Sequence, residues 1–149
     1  MKVTLEHTDA AEPEVIIRGD VANPQVQNIA ELLTGQKSFQ KMFFFKNEKE
    51  YLFDIKDVTY FEADNNKTIA HIGNEEYEVR HKLYELESIG HAKGFIRISK
   101  GIVVNVNIIE SVEAELSGNY TAILRDTKKL LTISRKYVKE FKKYVMEVC

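Results

Sequence analysis

Cysteine is almost absent from this 149-residue sequence, since its single cysteine, Cys149, is the last residue. One thiol excludes an intrachain disulfide and every zinc site that needs several cysteines. The four histidines fall on separate predicted elements without metal-ligand spacing: His7, His71, His81 and His91. We therefore expect neither a metal site nor a cofactor.

Long hydrophobic runs are missing as well. No apolar segment approaches the ~20 residues that a membrane-spanning helix needs. The first residues, from Met1 to Glu12, carry acidic side chains where a secretion signal has a basic segment and an apolar core. We expect a cytoplasmic protein that does not insert into a membrane.

Residue patterns of catalysis are also lacking. No glycine-rich loop precedes Ser99-Lys100, which excludes a phosphate-binding P-loop. The same pair has the residue types of a Ser–Lys hydrolase, but nothing in the sequence supplies an oxyanion hole or a third catalytic group. The acidic pairs Glu75-Glu76 and Asp54/Asp57 are more typical of a surface than of acid–base catalysis. The sequence predicts that the protein is not an enzyme.

Charge is unevenly distributed along the chain, although the net charge is only −2. Residues 1–90 contain 10 basic and 17 acidic side chains, whereas residues 91–149 contain 11 basic and 6 acidic ones. Between Ile123 and Lys143 there are eight basic residues and two acidic residues. Such a segment suits a polyanion, although a solvated helix face accounts for the lysines of the last helix equally well.

Residues 1–40 are predicted to form an N-terminal extension with two strands and a helix. The strand candidates are Val3–His7 and Val15–Arg18, which are rich in apolar and β-branched residues. The helix is predicted to run from the N-cap Asn23 to Gly35. Its apolar stripe has to bury against this chain or a second copy, and three of its members are assigned to dimerisation: Val26, Ile29 and Leu33.

Residues 41–149 alternate between short apolar runs and polar turns, which predicts short antiparallel strands. A short helix is predicted at Lys82–Ser88, and a longer C-terminal helix follows Ser134, a suitable N-cap. The central stretch Phe95–Asn105 is predicted to be two strands interrupted by Ser99-Lys100-Gly101. The sequence therefore predicts a mainly β domain over residues 41–149, preceded by the small β-β-α extension.

Four phrases within this domain occur in a particular order. They are Tyr60-Phe61-Glu62-Ala63 before a polar loop, Leu83-Tyr84-Glu85-Leu86, Phe95-Ile96-Arg97-Ile98-Ser99-Lys100-Gly101-Ile102-Val103-Val104-Asn105, and Ile133-Ser134-Arg135-Lys136-Tyr137-Val138-Lys139. Together they resemble the LytTR-type DNA-binding domain of bacterial transcription regulators. The resemblance implies an elongated, mainly β arrangement of small antiparallel sheets with short helices and a C-terminal helix. It also implies that loops at one edge enter successive major grooves of double-stranded DNA.

The resemblance places base contacts in the loop after the third strand, in the central phrase and at the start of the final helix. Arginine and lysine suit the acceptors of guanine, and asparagine can pair with adenine. The residues at these positions are Asn65, Asn66, Lys67, Ser99, Lys100 and Arg135.

Phosphate contacts are expected from basic residues near these positions and from the N-terminus of the final helix. Such contacts fix the register of a protein on DNA without reading the base sequence. The expected residues are Arg97, Lys128, Lys129, Ser134, Lys136 and Lys139.

The chain departs from the family pattern at Ser99-Lys100, where the family usually has His-Arg. This pair resembles a stand-alone branch without a receiver domain, and residues 1–40 are too few to form one. The preferred hypothesis is a sequence-specific DNA-binding transcription regulator that acts as a homodimer or as two copies on repeated half-sites. The alternative hypothesis is a protein-interaction module of a regulatory complex with no direct DNA contact.

Overall fold

The computed structural model describes residues 2–34 and 41–148. The chain divides into two compact units, Met1–Ser38 and Phe39–Cys149. Within the described residues, no helix combines the length and the apolar character that a membrane span requires.

The first unit contains helix α1 (Pro24–Thr34). As predicted, the helix begins after Asn23, whose side-chain oxygen accepts a hydrogen bond from the Gln25 N–H at 2.9 Å. This bond satisfies one of the backbone donors that have no partner inside the first turn. Gly35, the predicted end of the helix, lies outside the described residues.

The two strands predicted in the extension are wrong. Neither Val3–His7 nor Val15–Arg18 is a strand, and most apolar side chains of the two segments are exposed, with Leu5 at 93%. Two short strands alone are marginal in water unless they pack against a third strand or a helix. Apolar and β-branched composition without such a partner therefore does not produce a sheet here.

The second unit has the predicted mainly β, antiparallel architecture with a C-terminal helix. Its α-helices are α2 (Leu83–Gly90) and α3 (Arg135–Val148), and short 3-10 helices lie at Ile55–Asp57, His91–Lys93 and Val106–Ile108. Its strands are β1 (Lys41–Lys46), β2 (Lys49–Asp54), β3 (Tyr60–Asp64), β4 (Lys67–Ile72), β5 (Glu75–Val79), β6 (Phe95–Ser99), β7 (Ile102–Asn105), β8 (Ile109–Ala114), β9 (Tyr120–Leu124) and β10 (Leu130–Ile133). Seven strands form a sheet in the order β2-β1-β5-β4-β3-β7-β6, and three form a second sheet in the order β10-β9-β8.

Two-residue turns with positive φ close two of the hairpins. Asn47 and Glu48 join β1 to β2 at φ values of 50° and 63°, and Asn65 and Asn66 join β3 to β4 at 44° and 67°. Such turns match the twist of antiparallel strands, and asparagine tolerates positive φ better than most residues. The second turn therefore fixes the register of β3 against β4, which pairs Asp64 with Lys67.

Each face of the seven-stranded sheet packs against its own hydrophobic core. Successive side chains of a strand point to opposite faces, so Phe61 joins the core formed with α2 and the β1–β2 hairpin, while its neighbour Tyr60 joins the other core. The second core also contains Ile98, Leu131 and Phe141, so the three-stranded sheet and α3 cover this face. The sheet is thus covered on both faces, and its packed strands determine where the turns between them lie.

A buried asparagine connects β7 to the segment before β3. Asn105 is only 2% exposed. Its side-chain amide donates to the Val58 carbonyl at 3.1 Å and to the Lys56 carbonyl at 3.4 Å, and its side-chain oxygen accepts from the Asn107 N–H at 3.1 Å. These bonds satisfy two backbone carbonyls and one backbone N–H of residues that lie outside the strands.

Candidate nucleic-acid interface

Two turns of the seven-stranded sheet lie next to each other at one end. The Ala63 N–H, near the end of β3, donates to the Gly101 carbonyl at 2.9 Å, and Glu62 pairs with Ile102 at the start of β7. The β3–β4 turn and the β6–β7 turn are therefore neighbours, with centres about two strand spacings, or about 10 Å, apart. Asn65, Asn66 and Lys100 are exposed there, and Ser99 is half-buried.

The start of α3 joins the same end of the sheet. The Ser134 N–H donates to the Ile98 carbonyl in β6 at 2.8 Å. The Arg135 N–H donates to the side-chain oxygen of Asn119, in the β8–β9 turn, at 3.0 Å, and the Arg135 side chain is exposed. By strand spacing, Arg135 stands about 17 Å from the β3–β4 turn. Residues 65–67, 99–101 and 134–135 thus form one surface, which we call the loop face.

Arg97 stabilises the β6–β7 turn, which is the central turn of the loop face. Its Nε donates to the Ser99 carbonyl at 3.2 Å, and its guanidinium also donates to the Lys100 carbonyl. A further guanidinium nitrogen lies 3.9 Å from a carboxylate oxygen of Glu87. The side chain predicted as a phosphate contact is therefore engaged with the backbone that presents Lys100.

Exposed cations continue from the loop face onto α3. This helix runs back along β6, because the Tyr144 hydroxyl, near its far end, donates to the His91 carbonyl ahead of β6. Lys136 and Lys139 are exposed in the first two turns of α3, within about 6 Å of Arg135 along the helix axis. Lys142 is further along and lies over the Tyr120 ring, 4.6 Å from its centroid.

Two of the predicted phosphate contacts lie away from the loop face. Lys129 Nζ is 5.2 Å from the ring centroid of Tyr60, which begins β3, whereas the β3–β4 turn follows the other end of that strand. Lys128 Nζ lies 2.7 and 2.9 Å from the carboxylate oxygens of Glu110. Neither residue is therefore brought onto the loop face, and their role as phosphate contacts stays a prediction.

A buried histidine lies near that opposite end. The His71 ring stacks on Tyr60, with centroids 4.0 Å apart. Its Nε2 is 2.7 Å from Glu62 Oε1, and its Nδ1 is 3.7 Å from Glu76 Oε1. Burial raises the pKa of the Tyr60 hydroxyl, and the Lys129 ammonium beside it acts in the opposite direction.

Glu62, His71 and Glu76 are close enough to be considered as metal ligands, since their ligand atoms lie within 4.8 Å of one another. Sequence spacing does not reveal this cluster, because it depends on the pairing of β3, β4 and β5. The two carboxylates approach different ring nitrogens. This arrangement suits hydrogen bonding to the imidazole better than coordination of one ion, which uses a single ring nitrogen.

Comparison with known proteins points to one family. The family model of the LytTr DNA-binding domain matches residues 48–146. A Staphylococcus aureus protein of strain NCTC 8325, named as an HTH-type transcriptional regulator, is 26% identical over 136 residues, 91% of each chain. A protein of the same description from S. aureus strain MSSA476 is 28% identical over 131 residues, 88% of each chain.

A solved structure has the same fold. It is a LytTr DNA-binding domain from Bacillus cereus, which superimposes with a TM-score of 0.66 at 21% sequence identity, over 71% of this chain and 96% of that chain. In the part of this chain that the structure describes, five strands separate α2 from α3. These two helices therefore do not form the helix-turn-helix unit to which the names of the relatives refer.

Proposed function

Because the chain belongs to the LytTR DNA-binding domain family, we propose that it is a transcription regulator that binds specific sequences of double-stranded DNA through its loop face. One observation carries the proposal: residues that lie far apart in the sequence, among them Asn65, Lys100 and Arg135, share one end of the sheet and are exposed there. Their side chains have the hydrogen-bonding groups that read base edges in a major groove.

The side chains of the loop face divide into two roles. Asn65, Asn66, Lys67, Ser99, Lys100 and Arg135 contact bases, since these side chains can reach the groove edges of purines. Lys136 and Lys139 hold the phosphate backbone beside Arg135. The α3 N-terminus contributes less than its dipole suggests, because Asn119 occupies the Arg135 N–H and the Ser134 carbonyl occupies the Tyr137 N–H. Ser134 then contributes to phosphate binding mainly by positioning this turn.

The width of the loop face limits how its turns can enter the major grooves of the duplex. About 17 Å separate the β3–β4 turn from Arg135 by strand spacing, which exceeds the ~12 Å width of one major groove. Successive major grooves recur about every 34 Å along one side of B-DNA. Insertion of the outer turns into successive grooves therefore requires the long side chains of Lys67 and Arg135 and a bend of the DNA toward the protein.

Arg135→Ala is expected to weaken binding by about 1–3 kcal/mol and to relax the base preference at one position, because arginine forks onto guanine. The measurement is a fluorescence-anisotropy titration with a duplex that the wild-type protein selects from a random pool. Lys143→Ala is the control, since this exposed lysine lies on the same helix, about 12 Å further along it. Unchanged affinity of Arg135→Ala for the selected duplex would contradict the proposed function.

We also propose that α1 mediates dimerisation, which would place two loop faces on repeated half-sites. Val26 and Ile29 are half-buried on one side of the helix, while Leu32 and Leu33 are 82% and 56% exposed. Burial of these exposed apolar side chains against a second copy lowers the free energy of the dimer relative to two monomers.

Leu33→Lys is expected to convert a wild-type dimer into a monomer, because a charge in an apolar interface loses its hydration. Light scattering at a fixed protein concentration measures the molecular mass. Gln27→Lys, at an exposed polar position of the same helix, should remain dimeric. A monomeric wild-type protein would rule out the role of α1.

A further inference from the structure

A second basic surface lies beside the β3–β4 turn, in the loop Arg80–Lys82 that joins β5 to α2. Thr68, near the start of β4, pairs with Val79, the last residue of β5. Because antiparallel strands in register end side by side, this loop lies at the same end of the sheet as the β3–β4 turn. It therefore extends the loop face on the side opposite to Arg135.

An open groove of about 330 Å³ lies between this loop and the β3–β4 turn. Its lining includes the cations Lys67, Arg80 and Lys82 and the carboxylate of Glu78. Lys67 Nζ is 3.8 Å from a Glu78 carboxylate oxygen. Since these two charges offset each other, Arg80 and Lys82 give the groove its positive charge.

Both cations are oriented by contacts that leave their charge at the surface. The guanidinium carbon of Arg80 lies 4.5 Å from the centroid of the Phe45 ring, and the Arg80 side chain is exposed. Stacking uses the face of a guanidinium, so its N–H edge still suits an oxyanion. Lys82 is also exposed, and its backbone N–H donates to Glu85 Oε1 at 3.0 Å, which engages the carboxylate in the first turn of α2.

The distance between this loop and the β3–β4 turn indicates which part of the DNA the loop contacts. The loop stands about one and a half strand spacings, or about 7 Å, from the centre of the β3–β4 turn. Half the width of a major groove is about 6 Å. When the β3–β4 turn enters a groove, a group at this distance to one side meets the phosphate strand that borders the groove.

Resting on the DNA-binding function proposed above, we propose that Arg80 and Lys82 bind the phosphodiester strand flanking the groove that the β3–β4 turn enters. The pair sets the register of that turn and does not read bases. A contact of this kind contributes equally to every DNA sequence and depends steeply on salt, because each neutralised phosphate releases counterions.

The test compares Lys82→Ala and the double variant Arg80→Ala/Lys82→Ala with Lys49→Ala. Lys49 is exposed beside the β1–β2 turn, which lies at the opposite end of the sheet because Phe45, near the end of β1, pairs with Glu78 of the antiparallel strand β5. Each protein is titrated by fluorescence anisotropy at several salt concentrations against the selected duplex and a scrambled duplex. The double variant should weaken binding to both duplexes by the same factor. It should also lower the slope of log K against log salt by about 0.9 for each phosphate that the variant no longer neutralises. Lys49→Ala should change neither quantity.

The outcomes separate this inference from the proposed function. If the wild type binds the selected duplex and depends on Arg135, an unchanged salt slope in the double variant overturns the inference and leaves the function standing. A selective loss for the selected duplex also overturns it, because base reading and not backbone binding would then be affected. A wild type that binds neither duplex overturns both. If Arg80→Ala disturbs folding, Lys82→Ala alone tests the proposed phosphate contact, because this variant removes no contact with an aromatic ring.

Discussion

Lys100→Glu is expected to reduce affinity for the selected duplex by more than a hundredfold. Lys100 is exposed at the centre of the loop face, between the β3–β4 turn and Arg135. Loss of a base contact costs about 1–3 kcal/mol, and a carboxylate placed against phosphates adds repulsion of several kcal/mol. A total of about 3 kcal/mol or more corresponds to that factor in Kd.

The rigidity of the turn makes this effect large. Arg97 donates to the carbonyls of both Ser99 and Lys100, so the turn cannot readily carry the new carboxylate away from the DNA. The same anisotropy titration measures the change. Lys49→Glu alters the net charge equally beside the β1–β2 turn, at the opposite end of the sheet, and is the matched control. If both variants weaken binding equally, long-range repulsion accounts for the result and the assignment of Lys100 to the interface is wrong.

Asn105→Ala is expected to lower the free energy of unfolding by about 2–4 kcal/mol. The substitution removes the donor to the carbonyls of Val58 and Lys56 and the acceptor for the Asn107 N–H. A buried polar group that loses its partner costs about 1–3 kcal/mol, and here more than one such group is left. The residue is 2% exposed, so water does not replace these bonds without rearrangement.

Urea denaturation followed by circular dichroism measures this loss. Asn74→Ala removes an asparagine from the exposed β4–β5 turn, and we expect a change within about 0.5 kcal/mol for it. A loss smaller than about 1 kcal/mol in Asn105→Ala would mean that the buried hydrogen bonds contribute little net stability.

Much of the second unit could be predicted because its local patterns agree with its tertiary contacts. Asn65-Asn66 forms a tight turn whose positive φ values suit asparagine, and the phrase Phe95–Asn105 alternates between the two cores as an antiparallel strand pair does. The N-terminal extension lacks this agreement between local pattern and tertiary contacts. Val3–His7 has strand composition, but it has no pairing partner within the described residues, so composition alone misleads.

The loop face could be anticipated only in part. Its turns follow from local sequence, but which turns share an end depends on the register of strands that lie far apart in the chain. Lys128 and Lys129 are near Arg135 in sequence, but the strand β10 separates them from it in space, so sequence proximity does not place them on the loop face. The sequence around Asn119 predicts only a turn, since nothing local indicates that its side chain holds the Arg135 amide.

The loop face is built from hairpin ends, and this has a consequence for the evolution of the protein. The β3–β4 turn and the β6–β7 turn are each closed by their own pair of strands, and both pairs are anchored in the two cores. Substitutions at either tip that keep the backbone conformation of its turn, including the positive φ of Asn65 and Asn66, can therefore leave strand register and the neighbouring tip unchanged. If the loop face reads DNA as proposed, its specificity can diverge one loop at a time, and loops exchanged between family members should form functional hybrids.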